Sequence, residues 1–265
     1  MALPDYHMHT PLCKHASGDP AAYKEAAERR GIPEICFSDH SPNPDGFDPG
    51  HRMELDQFIL YRERVEGIQD QDGPTVLMGI EADYYEGCES FLRQWLPAQG
   101  FDLVIGSVHY IDGWGFDNPS YGYLWDAADV KAVWGRYFKL VEGLALTGLF
   151  DSVGHLDLPK KFGHRLPDQD LREMVRPVLD HIARTGMGME INTSGLTKPV
   201  KEIYPSPLIL DLARAREIPI CFGSDAHSPD HVGFAFDAAL TLAREAGYTY
   251  YFRIRDRKKE LLPLP

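Results

Sequence analysis

The stretch Phe101-Asp102-Leu103-Val104-Ile105-Gly106-Ser107-Val108 is the clearest strand pattern in the chain, because it is short, mostly apolar and rich in β-branched residues. Helical patterns flank it, and the same alternation continues toward both termini. Six further strands are predicted at residues 4–9, 34–38, 75–80, 151–154, 188–192 and 218–223, although the run at 4–9 is too short to be assigned alone. Alternating strands and helices favour a parallel sheet, and such apolar strands need both faces covered. We therefore predict an α/β barrel that forms a single domain over residues 1–265.

The segments around these strands predict helices at residues 21–30, 54–71, 86–96, 126–147, 168–185, 206–217 and 236–246. The first of them follows Asp19-Pro20, a capping residue with proline at the first helical position. Residues 111–125 are rich in glycine, tryptophan and tyrosine and predict a long loop, whose part from 114 to 125 could be a lid, an interface or core. Residues 248–254 could form a last strand, and residues 255–260 are expected to be a solvated charged tail.

The composition argues against several classes of protein. The 265 residues include 40 acidic and 27 basic side chains, so the formal net charge is −13 and a nucleic-acid partner is not expected. The four cysteines show no C-x-x-C spacing, which argues against a zinc ribbon or a redox motif. Because there is neither a signal-peptide pattern nor an apolar run of about 18 residues, we expect a soluble cytoplasmic protein with no membrane partner.

The eleven histidines are not scattered evenly along the chain, since many of them follow the predicted strands. Chemistry in a barrel of parallel strands lies at the carboxyl ends of those strands. The groups found there are all able to bind a metal or to move protons: His7, His9, Asp39, His40, Glu81, His109, His155, Glu190, Asp225 and His227. We therefore expect these side chains to meet at one face of the barrel.

The spacing and type of these residues predict a metal centre with more than one ion. His7 and His9 project from the same face of a strand, and His15 in the following loop could bend back toward them. Imidazole and carboxylate together suit Zn²⁺, Mn²⁺ or Fe²⁺ better than Mg²⁺ or Ca²⁺. Seven histidines and two carboxylates are too many for one ion, and Glu81 is the natural bridge. The four other histidines, which are His51, His164, His181 and His231, are expected on the surface or in packing. A minor substrate role is left open for His164 and His231.

Several motifs in order resemble those of the PHP (polymerase and histidinol phosphatase) superfamily over about residues 5–247. They are His7-Met8-His9-Thr10, Ser38-Asp39-His40, Gly79-Ile80-Glu81, Ser107-Val108-His109, Gly154-His155 and Gly223-Ser224-Asp225-Ala226-His227. The stretches at residues 5–18 and 190–196 resemble in particular the histidinol-phosphate phosphatases of this superfamily. The resemblance implies a distorted (βα)7 TIM-like barrel that holds three divalent transition-metal ions, which could be zinc, iron or manganese.

The resemblance also implies how the ligands are shared. The first ion would be held by His7, His9, Glu81 and Asp225, and the second by His15, His40 and His227. The third would be held by the bridging Glu81 together with His109 and His155. The activity implied is hydrolysis of L-histidinol phosphate, a small phosphorylated amino alcohol, to L-histidinol and phosphate.

The expected mechanism is attack on phosphorus by a hydroxide that bridges the ions. Asp39 could orient His40 or another ligand, or it could relay protons. A histidine or aspartate beside the ions is expected to protonate the leaving alkoxide, and the candidates are Asp225 and His227.

Basic residues that follow the fifth and sixth strands are candidates for binding phosphate, and an acidic residue could complement a cationic substrate. The basic candidates are Lys160, Lys161, Arg165 and Lys198, and the acidic candidate is Glu190. Taken singly, each of these basic residues is more often an ordinary exposed one than a phosphate ligand. Three other functions stay open: a phosphoesterase of the same superfamily with another small ester or nucleotide as substrate, an amidohydrolase-type hydrolase, and a non-catalytic metal-binding protein. The middle strands lack the lysine that the amidohydrolase family commonly uses, and ligands drawn from six strand ends do not resemble a local structural site.

Overall fold

The computed structural model describes residues 3–44, 46–69 and 72–265. Its strands are, in chain order, β1 (Glu34–Phe37), β2 (Thr75–Asp83), β3 (Leu103–Ser107), β4 (Tyr110–Ile111), β5 (Trp114–Gly115), β6 (Ser152–Val153), β7 (Gly188–Asn192), β8 (Ile220–Gly223), β9 (Tyr250–Arg255) and β10 (Lys258–Pro263). Six of them form a curled sheet in the order β1-β2-β3-β6-β7-β8, and every neighbouring pair is parallel. The predicted parallel α/β fold is confirmed.

Residues 5–8 take the place of a further strand between the two ends of this sheet. Asp5 pairs with Ile35 of β1, and Met8 pairs with Ala226, which follows β8, both in the parallel sense. The backbone N–H of Tyr6 also donates to Phe222 O at 3.0 Å. Partners on both sides therefore define a strand that its own short sequence could not specify.

The helices are α1 (Pro20–Arg29), α2 (Phe58–Glu66), α3 (Glu89–Ala98), α4 (Val130–Thr147), α5 (Asp168–Thr185), α6 (Pro207–Arg214) and α7 (Phe236–Glu245). Asp19 caps α1 as predicted, since its side chain accepts a hydrogen bond from Ala22 N at 3.0 Å. Helix α4 begins later than predicted because Asp129 caps it by accepting from Ala132 N at 3.1 Å. The helix predicted at 54–71 is a 3-10 turn, Leu55–Gln57, followed by α2, and its predicted end lies outside the described residues.

The interior of the curled sheet is filled by side chains from successive strands together with two from β9. This small apolar cluster consists of Tyr6, Cys36, Leu77, Leu103, Ile105, Cys221, Phe252 and Ile254. The larger core lies between the sheet and the surrounding helices. All four cysteines are buried and free. Among the described residues, none of the helices combines the length and the apolar character that crossing a bilayer requires.

The segment at residues 111–125, predicted as a long loop, contains more structure than expected. β4 and β5 pair in an antiparallel hairpin, and the 3-10 turn Pro119–Ala127 follows them. Trp125 is buried, donates from Nε1 to Phe116 O at 2.8 Å, and stacks on His164 with ring centroids 4.4 Å apart. Part of this segment is therefore core, and this stacking gives His164 the packing role that was expected.

The prediction of a solvated tail at residues 255–260 is wrong, because β9 and β10 form an antiparallel hairpin there. Asp256 and Arg257 have positive φ angles of 47° and 61°, which suits the tight turn between the strands. Arg253 lies 2.8 Å from the buried Glu34, and Arg257 lies 2.9 Å from Asp151. Within the predicted tail, Arg255 and Arg257 are thus paired with the acidic groups Glu34 and Asp151 of the barrel.

Candidate metal centre

The carboxyl ends of the parallel strands bring all nine predicted ligands together at one face of the sheet. His7 and His9 come from the first strand segment, Glu81 from β2, and the others from the turns that follow the strands. The register explains the placement, because His40 and Glu81 are paired directly across neighbouring strands. Cys13 and Asp39 also lie within reach of this group of imidazoles.

The carboxylate of Glu81 lies at the centre of five imidazoles. Its Oε2 is 2.9 Å from His40 Nδ1, 3.3 Å from His7 Nε2 and 3.7 Å from His9 Nε2. Its Oε1 is 3.0 Å from His155 Nε2 and 3.6 Å from His109 Nε2. One oxygen thus serves one set of histidines and the other oxygen serves a second set, which is the arrangement that a bridging carboxylate needs.

Four donor atoms at the bottom of the cluster have the spacing of a ligand shell. His9 Nε2 is 3.1 Å from Asp225 Oδ1, and His7 Nε2 is 3.9 Å from the same oxygen. Together with the contacts of His7 and His9 to Glu81 Oε2, four separations between these donor atoms fall between 3.1 and 3.9 Å. Four ligands at the usual bond length of about 2.1 Å around a tetrahedral ion would be about 3.4 Å apart. The donors therefore fit an ion of zinc size.

His15 and His227 provide a second pair of donors suited to a cation. Their Nδ1 atoms lie 2.7 and 2.9 Å from the backbone oxygens of Cys13 and Asp225. Because a carbonyl oxygen only accepts, each Nδ1 carries the hydrogen, and the two Nε2 lone pairs face each other at 2.9 Å. Burial and the neighbouring imidazoles of His40 and His9 lower the pKa of His15 to about 4, which disfavours a shared proton. A metal ion fits this pair.

Three buried carboxylates orient ligand rings from behind. The Nδ1 atoms of His7, His109 and His9 lie 2.7, 2.5 and 3.4 Å from Glu190 Oε1, Asp83 Oδ1 and Asp39 Oδ1 respectively. A carboxylate that accepts from one ring nitrogen fixes the tautomer and leaves the other nitrogen for a metal. His7 Nε2 is indeed buried without a hydrogen-bond partner among the described residues.

Asp225 is held in a similar way from the side opposite the imidazoles. Its Oδ2 accepts from Ser194 Oγ at 3.0 Å and from Asn192 Nδ2 at 3.3 Å, so Oδ1 is left to face His7 and His9. The backbone of Asp225 has a positive φ of 54°, which turns the chain sharply after β8 and directs both Asp225 and His227 toward the cluster.

The electrostatics of the cluster keep its carboxylates ionised. Burial raises the pKa of Glu81, but the imidazoles of His7, His40 and His109 outweigh this effect and hold that pKa well below its ordinary value. Burial likewise lowers the pKa of His7, and the carboxylates of Glu190, Glu81 and Asp225 reverse the change and raise it. The site therefore offers anionic oxygens and imidazoles in close contact, a combination that favours divalent cations.

A cavity of about 600 Å³ opens onto the upper side of the cluster. Lys161 and Lys198, two of the predicted phosphate ligands, line it together with His51, Arg52 and Tyr121. Lys161 is paired with Asp117 at 2.9 Å. Lys198 makes no side-chain hydrogen bond or ion pair within the described ranges, and burial lowers its pKa. Lys198 is thus a cationic group available to a bound anion.

The structure does not bring Lys160, Arg165 or Glu190 to this cavity. The 3-10 turn Leu158–Phe162 directs neighbouring side chains apart, so that Lys160 is buried and paired at 2.9 Å with both Asp157 and Glu202. Arg165 also pairs with Glu202, on the wall of a second, smaller cavity. Glu190 lies beneath the cluster against His7 rather than facing a substrate.

Sequence reasoning did not assign the groups that orient the ligands: Asp83, Asn192, Ser194 and Glu190. Asp83 had a signal that could have found it, because it lies two residues after Glu81 and so shares the same face of β2. Asn192 and Glu190 have the same spacing at the end of β7.

Comparison with known proteins identifies the family of the chain. The sequence pattern of the PHP domain matches residues 5–194, and a PHP-associated pattern matches residues 208–237. The chain belongs to the PHP domain family. This PHP chain is 43% identical over 256 residues to a probable histidinol-phosphatase of Deinococcus radiodurans, with 96% of this chain and 97% of the relative covered.

Two further proteins extend the comparison. The PHP chain is 31% identical to a histidinol-phosphatase of Bacillus subtilis, covering 89% of this chain and 97% of the relative. Its fold matches that of histidinol phosphate phosphatase from Lactococcus lactis, solved with zinc, L-histidinol and phosphate, with a TM-score of 0.78. That match covers 97% of this chain and 98% of the other at 22% identity, so it supports the fold.

Proposed function

We propose that this PHP protein is a metal-dependent phosphomonoesterase that hydrolyses L-histidinol phosphate to L-histidinol and phosphate. The observation that carries the proposal is the convergence of seven histidines, Glu81 and Asp225 at the floor of a cavity that also presents lysines. The similarity to histidinol-phosphatases over nearly the whole chain supports this substrate.

We infer three divalent ions, zinc, iron or manganese, in this centre. The first is held by His7, His9, Glu81 and Asp225, whose donor spacings fit one ion. The second is held by His15, His40 and His227, which is supported by the facing Nε2 atoms of His15 and His227. The third is held by Glu81, His109 and His155, which is supported by their contacts with Glu81 Oε1.

Ions bound in these positions would supply an activated water molecule as nucleophile and would neutralise charge on the phosphoryl oxygens. The protein's own part is to fix the ligands and to receive the ester. Asp39 acts as an orienting group, because its Oδ1 faces His9 Nδ1 at 3.4 Å and accepts from His40 N at 2.8 Å. This contact with His9 favours the orienting role over proton relay.

Lys198 binds the phosphate, with Lys161 beside it on the cavity wall. The Lys161 ammonium is held in place by Asp117, so it is fixed before substrate arrives. Asp225 and His227 line the same cavity, but as proposed ligands they have no proton to return to the leaving alkoxide. Burial raises the pKa of Asp225, yet the surrounding imidazoles outweigh this and hold it well below its ordinary value, and the N–H of His227 donates to the backbone oxygen of Asp225. The alkoxide would therefore take its proton from water. The expected binding partner is thus a small phosphate ester, the substrate itself. We also propose that residues 1–265 form one PHP-type domain.

The test is a phosphate-release assay combined with metal analysis on one sample. The substrates are L-histidinol phosphate, p-nitrophenyl phosphate and AMP, before and after treatment with a chelator and after addition of Mn²⁺, Zn²⁺ or Fe²⁺. We expect strong preference for L-histidinol phosphate, loss of activity with the chelator and recovery with metal. Equal rates on the three esters would reject this substrate but keep a phosphoesterase, whereas activity that survives complete metal removal would reject the whole proposal.

A further inference from the structure

A single buried arginine, Arg52, connects several of the segments that carry metal ligands. It lies between β1 and α2, and only 3% of its surface is exposed. Its Nη1 donates to Ser41 O at 3.1 Å and forms an ion pair with Asp83 Oδ2. Its Nη2 donates to Tyr110 Oη at 3.2 Å and lies 3.6 Å from Asp48 Oδ2.

Each principal partner of Arg52 is next to a ligand or in contact with one. Ser41 follows His40, and Tyr110 follows His109. Asp83 lies two residues after Glu81 and binds His109 Nδ1 through its other oxygen at 2.5 Å. One guanidinium group therefore fixes the backbone or side-chain supports of His40, Glu81 and His109, which come from three different parts of the chain.

We infer that Arg52 is a positioning residue of the metal centre, which holds Asp83 and the chain around His40 and His109 so that the third ion is bound. This inference rests on the proposed three-ion site. Asp83 is fully enclosed and uses both oxygens, one for His109 and one for Arg52. Without the arginine, the carboxylate would lose its guanidinium partner, and a buried charge that loses its partner is costly.

The geometry of the guanidinium is essential to this role. Donors on two nitrogens reach Ser41, Asp83 and Tyr110 in different directions at once. A lysine ammonium is a single point with a flexible stem and cannot span the same set of acceptors. Lysine at this position should therefore keep the charge but lose the alignment.

Arg52 also lines the cavity, so a direct role in binding phosphate is the competing explanation. The two roles differ in what they change. A positioning role predicts weaker metal binding in the absence of any substrate, whereas a phosphate-binding role predicts unchanged metal binding and a higher KM.

The experiment measures Mn²⁺ binding to the metal-free protein by equilibrium dialysis with metal analysis, for wild type, Arg52→Lys and Asp83→Asn. The asparagine variant keeps the shape of the side chain but has only one acceptor oxygen for two donors. Arg62→Lys is the matched control, because Arg62 is also partly buried but donates to Gln99, away from the centre.

We expect wild type and Arg62→Lys to bind three ions, and both other variants to bind one of the three about 10–100-fold more weakly, as is typical when a group that orients a ligand is lost. Wild-type affinity in Arg52→Lys would overturn the inference. Circular dichroism of the metal-free proteins checks that each variant folds. If Arg52→Lys does not fold, wild-type metal affinity in Asp83→Asn overturns the inference instead. A wild type that binds one ion or none would contradict the proposed function itself.

Discussion

Replacing Gly223 by alanine tests how closely the metal ligands depend on the packing beneath them. Gly223 is the last residue of β8 and lies directly under the cluster. An added Cβ would stand 1.9 Å from Glu190 Oε1 and 2.6 Å from the Cβ of His7. The position requires glycine for space, and Gly223 is not among the residues with positive φ.

The expected size of the effect follows from these distances. Glu190 Oε1 would have to move by about 1.5 Å to reach ordinary van der Waals contact, which is enough to break its 2.7 Å hydrogen bond to His7 Nδ1. Glu190 has little freedom to move, because its Oε2 already accepts from Asn192 Nδ2 at 3.1 Å and His155 N at 3.2 Å. We expect a loss of about 1–3 kcal/mol in the free energy of unfolding. Metal affinity should fall by about 10–100-fold because His7 loses its orienting partner.

The assay is urea unfolding of the metal-free protein together with a metal titration monitored by direct metal analysis. Gly122→Ala is the control, since no atom lies within 4 Å of its added Cβ and its φ is not positive. The control should behave as wild type in both measurements. If Gly223→Ala also unfolded and bound metal as wild type does, the reasoning about Glu190 and His7 would be refuted.

Three further predictions concern the centre and its cavity. Glu81→Gln should lose metal and phosphatase activity together, because one amide oxygen cannot serve both sets of histidines, and metal analysis beside the phosphate assay checks this. Because burial lowers the pKa of Lys198, its charge is lost at a lower pH than that of an exposed lysine. As the pH is increased, KM for L-histidinol phosphate should therefore begin to rise earlier in wild type than in Lys198→Arg, and pH–KM profiles of the two proteins check this. Metal removal should lower Tm, since ions that bind only the folded state stabilise it; an equal Tm for the metal-loaded and metal-free proteins by calorimetry would contradict metal binding to the folded centre.

The proposed ligand set could be predicted from the sequence because it depends on a regular feature. Parallel strands end at one face, so a histidine or carboxylate at each strand end is brought to the same place whatever the details of the connecting helices. His109 after β3 and His155 after β6 are examples, since their contacts with Glu81 need only the strand order and register. The parallel fold was predictable for the same reason, because the alternation of strands and helices is also a regular feature of the sequence.

The residues that were misplaced depend on irregular backbone. Lys160 and Lys161 are neighbours of the same type, and a 3-10 turn directs one into an ion pair with Asp157 and the other toward the cavity. No periodic pattern distinguishes the two directions. The charged segment at residues 255–260 was likewise misread, because the partners of Arg255 and Arg257, which are Glu34 and Asp151, are distant in sequence.

The side chains that orient the proposed ligands could not be predicted from the sequence, for a different physical reason. A residue type indicates what a side chain can donate or accept, whereas its role depends on which partner it meets. Glu190 is chemically suited to a cationic substrate, yet its two oxygens are used by His7, Asn192 and the backbone of His155. A buried carboxylate must be paired with hydrogen-bond donors, so the donors that surround it inside the barrel decide its role. For Glu190 these donors make it a residue that orients His7.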